Sequence, residues 1–120
     1  MNEKIIEKIL EIALTDNKTS QRNVDNHIGK YCIVRTNRAG VFFGKIKEKD
    51  GAEVIIDECR RLWYWKTVEG ISLSEVANKG LHDDSKVCDE TNNHWAEAIE
   101  LIECSDISTR SIKGMKVYVN

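Results

Sequence analysis

The chain contains no proline. The sharpest stop signal for helices and the stiffest turn residue are therefore missing, and turns are expected at Gly, Asn and Asp. Long apolar runs are missing too. The longest stretches are a few residues, against about 20 needed to cross a bilayer, so no membrane association is expected. No CxxC pair occurs among Cys32, Cys59, Cys88 and Cys104. The N-terminal residues MNEKI mix acid and base and lack the apolar core and small-residue cleavage site of a signal peptide. A reducing cytoplasm is the expected setting, with free, partly buried thiols rather than disulfides. An excess of positive charge is also absent. The formal net charge is -2, which argues against a general electrostatic grip on nucleic acid and leaves room only for a local basic patch.

What is present is the make-up of one globular domain. The 120 residues are 41% hydrophobic and 32% charged, enough for a single core and too few for two ordinary domains. Residues 3–14, EKIIEKILEIAL, place Ile5, Ile6, Ile9, Leu10, Ala13 and Leu14 at helical spacing, with Glu and Lys on the other face. This pattern predicts an N-terminal amphipathic helix, followed by a polar linker to residue 29.

From residue 30 the period changes. KYCIVRT (30–36) and VFFGKIKEK (41–49) read as strands joined by the turn Asn37–Gly40. Asp50-Gly51 is a two-residue hairpin signal, and AEVIIDEC (52–59) returns, continued by RRLWYWK (60–66). Gly44 inside a strand marks a bend or bulge. Ser72 and Glu75 have the spacing of a capping box for a short helix ending at Gly80. Residues 82–93 read as a polar loop, 96–104 as a strand, 105–112 as a turn or short helix, and KVYVN (116–120) as a closing strand. The expected fold is α+β: a small, mainly antiparallel β-barrel or curled sheet spanning 30–120, preceded by the helix and linker of 1–29.

The most unusual composition is Cys59-Arg60-Arg61-Leu62-Trp63-Tyr64-Trp65-Lys66. In a strand, Arg61, Trp63 and Trp65 share one face. Guanidiniums pair with phosphate and rings stack on bases, so this face suits a planar anionic ligand. The structural alternative is that the rings fill the core and the arginine pairs with a carboxylate. Arg35 and Arg38 flank the first turn and are supporting candidates. His82, Cys88 and His94, with Asp83, Asp84 and Asp89 nearby, lack a distinctive metal spacing, and no metal or cofactor is expected. Cys88 and His94 drawn as a dyad have no third group to orient them. No catalytic residue is assigned, and turnover is not expected.

The stretches VRTNRAGVFFGKI (34–46), RRLWYWKTVEGISLSEVANKG (60–80) and AIELIECSDISTRSI (98–112) resemble a family of small uncharacterised phage and prophage proteins, a domain of unknown function. Val34, Arg35, Thr36, Ala39, Gly40, Val41 and Gly44 match its first motif, and Arg60 to Trp65 its second. The resemblance covers most of 30–112 and implies that 1–29 is an added arm. It also implies an accessory protein acting by binding in the host cytoplasm. The expected function is binding of an anionic, nucleotide-like ligand through Arg61, Trp63 and Trp65, with Arg35 and Arg38, sequestering a host defence signal. The alternatives are a protein–protein inhibitor of a host protein or a structural homo-oligomer, and single-stranded nucleic-acid binding.

Overall fold

A computed structural model describes residues 27–119. The N-terminal helix expected over 3–14 lies outside the described residues. The elements run β1 (Tyr31–Thr36), β2 (Val41–Asp50), β3 (Glu53–Tyr64), α1 (Leu73–Lys79), β4 (Lys86–Thr91), β5 (His94–Glu103) and α2 (Asp106–Lys113). All strand pairings are antiparallel, in the order β2-β1-β5-β3-β4, with a further pairing of β2 to β3.

The local signals act as their chemistry requires. Thr36 closes the first turn, its Oγ1 donating to the Gly40 carbonyl at 2.8 Å and accepting from the Ala39 N–H at 3.0 Å. Gly51, at φ +60°, turns β2 into β3 directly after Asp50. Ser72 caps α1 by accepting from the Glu75 N–H, and Gly80 ends it. The Glu75 carboxylate does not complete the capping box among the described contacts; it pairs with Lys79 at 3.2 Å. Ser105 caps α2 in the same way, accepting from the Ser108 N–H at 3.0 Å.

Both faces of the sheet are covered along β1 and β2, which is why their apolar residues come in runs rather than alternating with polar ones. Cys32, Val34, Phe42, Ile46, Val54, Ile56, Cys59 and Ala96 fill the inside of the curl. Ile33, Phe43, Leu62 and Val87 face the other way and meet Val76 and Ala77 of α1 and Ile112 of α2. Curvature comes from a bulge. Glu58 has φ +51°, and the register shifts between Phe43 and Lys45, opposite it. At this crossing Gly44 lies so close to β3 that a Cβ would stand 2.3 Å from Ile56 Cγ2 and 2.9 Å from the Asp57 carbonyl oxygen.

Four expectations are corrected. The small barrel does not form: among the described residues the sheet is curled and keeps an open edge. There β5 pairs with β3 only from His94 to Glu97 and then with β1, and β4 has β3 as its single strand partner. Residues 82–93 are not all loop, because β4 forms there; its burial is confined largely to Val87, so no apolar pattern announced it. The 60–66 segment leaves the sheet at Tyr64. The closing strand is reduced to one parallel bridge, Val117 to Val87 on the outer edge of β4, with the Tyr118 N–H donating to the Val87 carbonyl at 2.8 Å.

The two helices described are internal. α2 is tied to the sheet by a polar cluster: Lys113 Nζ donates to Glu58 Oε1 at 2.7 Å and to Tyr31 Oη at 3.1 Å, while the Tyr31 hydroxyl donates to the Glu58 carboxylate at 3.0 Å. The Lys113 ammonium, with the Tyr31 hydroxyl, holds the Glu58 carboxyl below its ordinary 4.5, and Glu58 in turn raises Lys113 above its ordinary 10.5.

Two outcomes follow from this geometry. Gly44→Ala is expected to lower stability by about 1–3 kcal/mol in denaturant melts, since backbone as well as side chain must move to admit the methyl group. The Glu58 contribution is present above its unfolded value and disappears as pH falls through the depressed folded value. The Lys113 contribution persists until pH rises through its elevated folded value. Glu58→Gln is therefore expected to flatten the acid limb of a stability profile below about pH 5, while leaving its slope near neutrality unchanged.

Candidate functional site

The Arg–aromatic segment of β3 is split by the fold. Arg60 turns inward and is 3% exposed. Its Nε donates to the Cys88 carbonyl at 2.9 Å, and its Nη1 donates to the carbonyls of Ile112 and Met115, each at 2.8 Å. The guanidinium thus closes the C-terminal end of α2, where free carbonyls carry partial negative charge. Leu62 also faces inward.

Arg61, Trp63 and Trp65 do not gather into one clamp. Arg61 lies over its cross-strand neighbour Phe42, 4.8 Å from the ring centroid, at a hollow of about 210 Å³ that Cys88 and His94 also line. Burial, and then the charge of Arg61, lowers the His94 pKa. The hydrogen-bonding neighbour of His94 Nδ1 is Thr91 Oγ1 at 3.1 Å, not Cys88. Trp65 packs partly against the helix-side core and shares a shallow hollow with Arg35, which is itself 3.5 Å from Glu100. Arg38 stands in the β1–β2 turn beside a different hollow that includes Trp95.

Trp63 is the more exposed of the two tryptophans in this trio, at 62%. The chain tail folds back along β4 and lays Tyr118 against it, rings 5.6 Å apart and within 8° of parallel. Lys86 begins β4 opposite Tyr64. Its ammonium lies 5.4 Å from the Trp63 ring, 5.8 Å from Tyr64 and 5.0 Å from Tyr118. Among the described residues Lys86 has no carboxylate partner. One ammonium set among three accessible rings is the most chemically distinct surface of the described chain. The rings favour a cation here, and the cation is positioned to meet an anion beside a stacking surface. Sequence reasoning found Trp63 but missed Lys86 and Tyr118. A strand assignment for 86–91 would have placed Lys86 opposite Tyr64, while no local signal announces the return of the tail.

Burial pushes the thiols of Cys32 and Cys59 up to about 12 and that of Cys104 up to about 11. Among the described residues no three His, Cys, Asp or Glu side chains gather as a metal site. No described helix is long and apolar enough to cross a membrane.

A family model for a domain of unknown function, DUF6948, matches residues 29–112. The chain belongs to the DUF6948 family. The DUF6948 match spans the five described strands and reaches through most of α2, so Trp63, Tyr64 and Lys86 lie inside it and Tyr118 beyond it. No curated protein and no solved structure matches the chain. The DUF6948 match shows neither phage origin nor the particular VRT and RRLWYW pattern. The phage, defence-signal and oligomer expectations are withdrawn along with the barrel.

The two neighbouring arginines are expected to separate in a mutational test. Arg60→Met removes the guanidinium donor from the Cys88, Ile112 and Met115 carbonyls and should cost on the order of 3 kcal/mol in urea denaturation. Arg61→Ala loses one exposed cation–ring contact and should cost less than about 1 kcal/mol.

Proposed function

We propose that this domain is a binding module that takes a single-stranded nucleic acid on the Trp63–Tyr64–Lys86–Tyr118 face, without chemical turnover. The observation that carries the reading is the Lys86 ammonium held among three accessible rings, two of which, Trp63 and Tyr118, stack on each other. Bases stack on such rings whatever their identity, and an ammonium beside them meets the phosphate. The face is open. A free small ligand is normally enclosed over most of its surface, whereas a strand lies along an open face and adds contacts from nucleotide to nucleotide. With a net charge of -2, the grip is local and comes from stacking as much as from charge.

A second reading, a protein-binding surface, is favoured by Val117 and Val119, which stand exposed on the same tail as Tyr118. Tyr and Trp anchors ringed by apolar contacts are typical of such interfaces.

Calorimetric titration with a single-stranded oligothymidine and with thymidine monophosphate tests the proposal. The oligomer is expected to bind saturably and more weakly as salt rises, while the monophosphate gives little heat. Trp63→Ala and Lys86→Ala should each weaken the oligomer about tenfold. Both side chains are surface groups, so the melts should stay near the parent's. Absence of oligomer binding at low salt, or binding indifferent to both substitutions, would sink the nucleic-acid reading and leave the protein interface.

A further inference from the structure

A second surface, on β3 and β5, has the opposite chemistry. Trp95 and Ile99 are each 55% exposed, and neither of the two described helices covers them. The Trp95 indole N–H donates to Glu53 Oε1 at 3.0 Å, which holds the ring upright between two hollows. One hollow, about 520 Å³, is lined by Ala39, Ala52, Ala98 and Ile99, with Arg38 and Glu97 on its rim. The other, about 220 Å³, has Val54 and Ile55 in its wall and Glu48, Asp50 and Glu53 around it, with Lys49. Trp95 is a wall of both.

The charge around this groove is lopsided. Four carboxylates, those of Glu48, Asp50, Glu53 and Glu97, border it against the two cations Arg38 and Lys49. Two of the carboxylates are direct cross-strand partners: Glu53 stands opposite Glu97 in the β3–β5 register, next to the pair Ile55–Trp95. Like charges facing each other across a ladder destabilise a sheet. Among the described residues neither Glu53 nor Glu97 has a lysine or arginine partner. A cation placed over the pair would relieve the repulsion, and an apolar side chain placed beside it would cover Trp95 and Ile99.

We infer that the Trp95–Ile99 groove docks a basic segment of a partner protein, one that presents a bulky apolar side chain flanked by lysine or arginine. The apolar group fills the larger hollow against Trp95, Ile99, Ala52 and Ala98. The flanking cation spans Glu53 and Glu97. The inference stands apart from the nucleic-acid reading, because it uses a different surface and a ligand of opposite charge.

The test is calorimetry on the full chain with two synthetic peptides, a leucine pair flanked by lysines and the same pair flanked by glutamates. The lysine peptide is expected to bind saturably and the glutamate peptide not at all. Ile99→Ser, and separately the double change Glu53→Gln with Glu97→Gln, should each weaken it at least about fivefold, the loss expected on truncating an interface anchor. Thermal melts confirm folding of both variants, and the carboxamide pair should melt no lower than the parent, since it removes a repulsion. Trp63→Ala should bind the lysine peptide as the parent does, which separates this groove from the aromatic face. Equal binding of the two peptides, no saturable heat with either, or affinity indifferent to both variants overturns the inference. So does a sedimentation experiment in which the chain self-associates and Ile99→Ser abolishes the association, since the occupant is then a second copy.

Discussion

The buried guanidinium of Arg60 is the contact through which the separate parts of this domain meet. It sits on β3, reaches a carbonyl of β4, and closes the end of α2 through two more carbonyls. A charge this deep is tolerated because its donors are met by main-chain oxygens, two of them at the C-terminal end of α2, where the carbonyls carry partial negative charge. Without it, α2 would lose its fixed end and β4 one of its attachments to the interior. The surface cluster of Glu58, Lys113 and Tyr31 holds the same helix from outside, so α2 is fastened at two points.

The curl of the sheet rests on a second constraint. β2 and β3 cross closely where Gly44 faces the bulge at Glu58. The extra residue changes which side chains of β3 point inward. Cys59 goes to the inside of the curl, while Arg60 and Leu62 go toward the helices. Simple alternation would have kept Arg61, Trp63 and Trp65 together on one face. The fold instead sends Arg61 to Phe42, Trp63 to the tail, and Trp65 toward the helix-side core, because the strand ends at Tyr64 before Trp65 is reached.

The two surfaces of interest divide by charge. At the β3–β4 edge, rings surround the Lys86 ammonium, and on the β3–β5 face, carboxylates border exposed Trp95 and Ile99. The near-zero total charge conceals this division, since it is a sum over both. The thiols of Cys32 and Cys59, raised by burial, pack inside the curl.

Strands β1 and β2, the Asp50-Gly51 hairpin, the Ser72 cap, the Gly80 stop and the bend at Gly44 were legible in the residues alone, because each depends on local chemistry: β-branched runs, a positive φ, a hydroxyl next to free N–H groups, or the absence of a Cβ. Arg61, Trp63 and Trp65 were legible as unusual, but their partners were not. β4 was hidden because an edge strand with one buried residue carries no apolar period. The neighbours of Lys86 depend on strand register, and that of Tyr118 on a tail folding back. The like-charge pair Glu53–Glu97 joins residues far apart in sequence. Local structure is set by neighbours along the chain, whereas a binding surface is set by neighbours across it, and only the tertiary fold decides those.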